Sequence, residues 1–169
     1  MVDGRLMANG ARMAGLLRIS EMGALALHAV GMVAADGGGQ VTAAGLAERL
    51  LASPHTMRQV LRRLVKAGWL RSGRGPAGGF SLAAAPERLS LWQVLEAVEG
   101  GSDRGGCLFA RPVCGAGFPC PFAGFTREID SQARRYFQKT TVADLRDALT
   151  RTTSADSLRT VRRPKPKTL

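Results

Sequence analysis

Ser53 to Ala83 reads SPHTMRQVLRRLVKAGWLRSGRGPAGGFSLA, and this stretch decides the fold. Ser53 before Pro54 is a helix start. The hydroxyl can cap a first-turn amide, and proline at the first helical position lacks only an N–H that would have no intrahelical partner. Met57, Val60, Leu61, Leu64 and Val65 then fall at i, i+3, i+4, i+7 and i+8, one apolar face, which leaves His55, Thr56, Arg58, Gln59, Arg62, Arg63 and Lys66 toward solvent or a partner. Gly68 ends the helix. Trp69 to Ser72 and Phe80 to Leu82 can pair as two short strands around the glycine-rich run Gly73 to Gly79, with Arg74 near its tip.

Working outward, Leu16, Ile19, Met22, Ala26, Val30 and Val33 recur at helical spacing, with Leu25 and Ala29 widening the stripe, so a first helix is expected from Leu16 to Ala35. Asp36 to Gly39 stop it, and Thr42 can cap a second helix that turns Leu46, Ala47, Leu50 and Leu51 inward and ends near Leu51. Two short helices joined by a turn, the second one basic, have the form of a helix-turn-helix, and the hairpin after them reads as a wing. Arg71 and Arg74 would then face phosphate or a minor groove. Downstream, Ser90 and Gln93 spell a capping box for a fourth helix through Leu91, Val94, Leu95 and Val98. Seven glycines and three prolines between 100 and 124 oppose regular structure. Helical periodicity resumes at Phe125 with Ile129, Ala133, Tyr136 and Phe137 on one side, and Thr141 can cap a last helix holding Val142, Leu145 and Leu149.

The expected fold class is mainly α with a small β-wing. The expected division is a flexible leader over 1–14, a winged helix-turn-helix DNA-binding domain over 15–99, a cysteine loop over 100–124, helices over 125–149 and a disordered basic tail over 150–169.

Charge agrees with a nucleic-acid site. The chain of 169 residues has a formal net charge of +11, unevenly spread: residues 51–90 carry seven basic groups against one acidic, and 150–169 carry six against one. Such blocks are the footprint of a polyanion partner. No apolar run is long enough to span a bilayer, and the first thirty residues lack the order of a signal peptide, so a cytoplasmic protein away from membranes is expected. The Gly73 to Gly79 run is not closed by Gly-Lys-Ser/Thr and follows no long parallel strand, which argues against a nucleotide cradle. With two histidines and no assembled nucleophile and base, an enzyme is not expected.

All three cysteines, Cys107, Cys114 and Cys120, fall in the glycine-proline loop. Three thiolates in such a loop can converge on a metal. Soft sulfur donors suit an iron-sulfur cluster, two-iron or four-iron, whereas structural zinc usually shows closer cysteine pairs; zinc and unligated or redox-active thiols are the alternatives. A cluster normally takes four ligands, so the fourth would come from elsewhere. Glu21 or His28 on the first helix, of the same chain or of a partner, or a small molecule could supply it, although a lone histidine on an apolar helix is more often a satisfied core or interface residue.

The segment LVKAGWLRSGRGPAGGFSLA, Leu64 to Ala83, followed by ERLSLWQVLEAVEG and then by three loop cysteines before a long helix, resembles the winged-helix transcriptional regulators represented by the iron-sulfur regulator IscR and the nitric-oxide-sensing repressor NsrR. The resemblance covers about residues 16–149. It implies a DNA-binding regulator, most often a repressor, that senses nitric oxide, redox state or iron supply. It also implies a homodimer whose long helix, here about Phe125 to Lys139, packs against its mate, each subunit reading half of a palindromic operator in double-stranded DNA. Residue by residue it makes Cys107, Cys114 and Cys120 the cysteine ligands, His55 to Arg62 the recognition helix, with His55, Thr56, Arg58, Gln59 and Arg62 as DNA-facing positions, and Arg74 the wing arginine, beside Arg71. The chain departs from the pattern at the fourth ligand. Ala123 stands where some members have histidine, and Ala24 precedes the Leu25-Ala26-Leu27 triplet where others have a carboxylate, which leaves Glu21, one turn earlier, as the candidate. The rival readings are a winged-helix regulator without a cluster, a winged-helix module that binds protein, and an iron-sulfur carrier whose basic helix is a docking face.

Overall fold

A computed structural model describes residues 19–37, 39–73, 75, 78–100 and 121–153. Helices α1 (Glu21–Ala35), α2 (Ala43–Arg49) and α3 (Pro54–Lys66) precede strands β1 (Leu70–Ser72) and β2 (Phe80–Leu82). A 3-10 turn at Pro86–Arg88 leads to α4 (Leu91–Glu99), and α5 (Ala123–Lys139) and α6 (Val142–Thr153) follow.

Each helix start has a chemical cause. Ser20, Thr42, Ser53 and Ser90 each accept a backbone N–H of the first turn, and at Ser90 the Gln93 side chain completes the reciprocal capping box. At α6, Thr141 Oγ1 accepts from the Asp144 N–H at 3.2 Å while Asp144 accepts from the Thr141 N–H at 2.8 Å. The cap at Ser20 corrects the expected start of α1: the helix opens at Glu21, with Ile19 ahead of it, and Leu16 lies outside the described residues.

The core gathers the predicted stripes. Leu25, Ala26, Ala29, Val30 and Val33 of α1 meet Leu46 and Ala47 of α2, Met57, Val60, Leu61 and Leu64 of α3, Leu91, Val94 and Val98 of α4, and Val142 of α6. Helix α1 is the hub, packed against α3, α4 and α6. It reaches α6 at Gly31, where an added Cβ would collide with Leu145 and Leu149. The wing is an antiparallel pair with Leu70 opposite Leu82, Arg71 opposite Ser81 and Ser72 opposite Phe80. Val41, ahead of α2, bonds to Phe80 in both directions at 2.9 and 3.1 Å, so the segment between α1 and α2 is stitched to the wing.

Four expectations change. Leu51 is not turned inward but is 96% exposed, because α2 ends at Arg49 and the chain reverses through a left-handed turn. Tyr136 is 66% exposed, since the α5 face that meets α4 is centred on Ala133, Arg134 and Phe137. Helix α5 begins at Ala123, inside the stretch expected to be loop. Helix α6 runs to Thr153, four residues into the expected disordered tail.

Candidate nucleic-acid interface

The cap and core decide which side of α3 is presented. Ser53 Oγ accepts from the Thr56 N–H at 3.0 Å and lies 2.8 Å from Thr56 Oγ1, so the half-buried Thr56 hydroxyl is engaged with the cap. With Met57, Val60, Leu61 and Leu64 buried beneath, His55, Arg58, Gln59 and Arg62 share one exposed face over two turns. The Gln59 side-chain amide donates to His55 Nε2 at 2.9 Å, which aligns the two polar groups along the face. Among the described residues neither Arg58 nor Arg62 forms an ion pair, so two guanidinium groups with rigid donor forks stand open to an anion. Arg71 is exposed on β1, on the opposite side of the strand from buried Leu70. The structure thus brings His55, Arg58, Gln59 and Arg62 together and leaves Thr56 partly withdrawn. Arg74 lies outside the described residues.

Arg63 departs from its neighbours. Its guanidinium turns back and donates to the Val98 carbonyl near the end of α4, joining α3 to the point where the chain leaves toward the cysteines. Helical periodicity puts Arg63 on the polar side, and nothing in its spacing signals this bond. A second tie at the same end joins Ser20 Oγ, at the start of α1, to Glu99 Oε1 at 2.8 Å. Gly23 makes this approach possible, since a Cβ there would meet Glu99 and Leu95.

Cys107, Cys114 and Cys120 lie outside the described residues, and among the described residues no three His, Cys, Asp or Glu side chains come together as a metal site. Glu21 is exposed in the first turn of α1. His28, two turns further along, is exposed too, with Nδ1–H donating to the Ala24 carbonyl at 2.8 Å. It is a surface residue and not a core one.

Helix α5 leans on α4 by one side. The Arg134 guanidinium sits 4.8 Å from the Trp92 ring centroid, and the two helices enclose a cavity of about 320 Å³ with Phe137, Leu95 and Ile19 on its walls. No α5 side chain is fully buried, and Phe122, Phe125 and Tyr136 remain largely exposed. No helix among the described residues is long and apolar enough to cross a membrane.

Comparison with known proteins agrees with this architecture. The family profile described as Rrf2, iron-dependent transcriptional regulator, matches residues 19–148. A relative from Aquifex aeolicus, classed among HTH-type transcriptional regulators, is 33% identical over 91 residues, 53% of this chain and 63% of its own. IscR of Aliivibrio salmonicida is 28% identical over 107 residues, 63% of each chain. The matched part therefore spans just under two thirds of these two relatives. Among solved structures, IscR of T. potens superposes with a TM-score of 0.65 over 85% of this chain and 96% of its own at 22% identity, a likeness of fold.

Proposed function

The chain belongs to the Rrf2 family of transcriptional regulators, and from that premise we propose that it binds palindromic double-stranded DNA as a homodimer and adjusts its grip through an iron-sulfur cluster on Cys107, Cys114 and Cys120. Its family is one of regulators, not of enzymes.

The observation that carries DNA binding is the exposed face of α3, where Arg58 and Arg62 pair with no carboxylate among the described residues and His55 and Gln59 lie alongside. In a winged helix this face enters the major groove, with arginine and glutamine suited to guanine and adenine edges and Arg71 and Arg74 of the wing suited to phosphate or the minor groove. A salt-dependent mobility shift tests it. Alanine at Arg58 and Arg62 should weaken binding and flatten the salt dependence by about 0.9 log units per log salt for each phosphate left unneutralised. Unchanged binding by the double variant would remove this docking.

For the cluster the support is donor chemistry: three soft thiolates on one chain suit iron-sulfur ligation, with Glu21 proposed as fourth ligand. When bound, such a cluster supplies a centre that nitric oxide, oxidants or iron shortage can alter. The chain's own residues give the change a route, because Arg63 and Ser20 tie the end of α4, where the cysteine segment departs, to the recognition helix and to α1. Shifting the balance between two arrangements of these helices would change the spacing of paired α3 helices and hence affinity. Anaerobically purified protein should be coloured and contain iron, with a Mössbauer signature that reports cluster type. Serine at all three cysteines should abolish the iron and the response of DNA binding to nitric oxide. Colourless, iron-free wild type would leave a thiol or zinc regulator.

A further inference from the structure

Leu51 is the non-glycine residue with a positive φ among the described residues, at +51°. It closes α2 in a defined motif: the Leu51 N–H donates to the Glu48 carbonyl at 3.2 Å, and the Ala52 N–H reaches back to Ala47 at 2.9 Å. The chain builds the same motif again at the end of α3, where Gly68, φ +81°, and Trp69 donate to Val65 and Leu64, each at 3.0 Å. At that second turn the left-handed position holds glycine, which has no Cβ to crowd the following carbonyl. At the first it holds a leucine.

Nothing inside the described chain offsets that strain. Leu46, Leu61, Leu64, Leu89 and Leu95 are fully buried, whereas Leu51 is 96% exposed and gains no burial from folding. A large apolar side chain kept where glycine fits better suggests a contact outside the chain. Position narrows the contact. Leu51 stands two residues before Ser53, the cap of α3, in the turn that leads the recognition helix into a groove. Exposed Arg49 precedes it and exposed Arg58 follows on α3, surroundings that favour a polyanion over an apolar protein surface. In the major groove the apolar group available to a leucine is the 5-methyl of thymine.

We propose that Leu51 is a specificity residue that packs against a thymine methyl at the edge of each half-site, beside the bases read by α3. This rests on the DNA-binding reading above. The test uses the full chain. A binding duplex is selected from a random pool with the wild-type protein, each thymine is then replaced singly by deoxyuridine, and affinities are measured for wild type, Leu51→Met and Leu51→Gly. One replacement per half-site should weaken wild type and Leu51→Met about fourfold, the worth of one buried methyl group, and leave Leu51→Gly indifferent. Leu51→Gly should still bind the unmodified duplex and melt no lower than wild type. If wild type selects a duplex but tolerates every replacement, or if Leu51→Gly shows the same penalty, the inference is overturned and the DNA reading stands. Altered self-association of Leu51→Gly with unchanged base preference overturns it too, assigning the leucine to a protein contact. A wild-type chain that selects no duplex overturns the DNA reading and this inference together.

Discussion

Arg62 and Arg63 are consecutive and chemically identical, yet they do different work. Arg62 faces outward from α3, and Arg63 donates to the Val98 carbonyl of α4. A rotation of about 100° per residue separates them, enough to turn one toward a partner and the other toward the neighbouring helix. Asp144 illustrates how one carboxylate can secure a helix start. The N–H and hydroxyl of Thr141 both donate to it, which holds its pKa below the ordinary value of 3.8. A lowered folded-state pKa adds stability above the unfolded value, and that contribution is lost as pH falls through the folded value. Asp144→Asn should therefore melt below wild type at neutral pH, and the gap should close in acid as the wild-type carboxyl protonates. Thermal melts of both proteins across a pH series check this, and a gap independent of pH would contradict it.

Among the elements, α1 has the most demanding role because three helices pack on it. Small residues are the reason it can serve: Ala26 and Ala29 are fully buried, and Gly23 and Gly31 sit where α4 and α6 come closest. Gly31→Val should overpack the α1–α6 contact against Leu145 and Leu149 and destabilise the fold by about 1–3 kcal/mol. Urea unfolding should show a lower midpoint with an unchanged slope. The α4 capping box was legible as Ser90 and Gln93 alone, since a cap depends on four consecutive residues and little else. The inner face of α5 was less legible. Its apolar residues are sparse, and an arginine stacked on Trp92 supplies part of the contact, which apolar periodicity does not register.

At the scale of the molecule, α5 carries the least complete surface. Phe125 is 50% and Tyr136 66% exposed, and a second copy of the chain would cover them in the proposed dimer. Replacing both by aspartate should shift the protein to monomer in sedimentation and weaken DNA binding strongly, because two half-site contacts no longer act as one. Dimers that persist in that variant would place the interface elsewhere. The positive charge of residues 51–90 serves a separate end, since it resides on α3 and the wing and not on α5. One surface pairs and another reads.

The sequence by itself determined the order of the elements, their caps, the apolar faces of α3 and α4 and the cationic face between Ser53 and the wing. All of these follow from spacing and from chemistry within a few residues. Only the tertiary structure decided that Arg63 leaves that face for α4, that Leu51 stands outside the core, and that Gly31 marks the closest approach of α1 and α6. Those outcomes depend on which surfaces meet across long separations in the chain. Local periodicity gives the direction of a side chain about its own helix, but not the neighbour that packing brings against it.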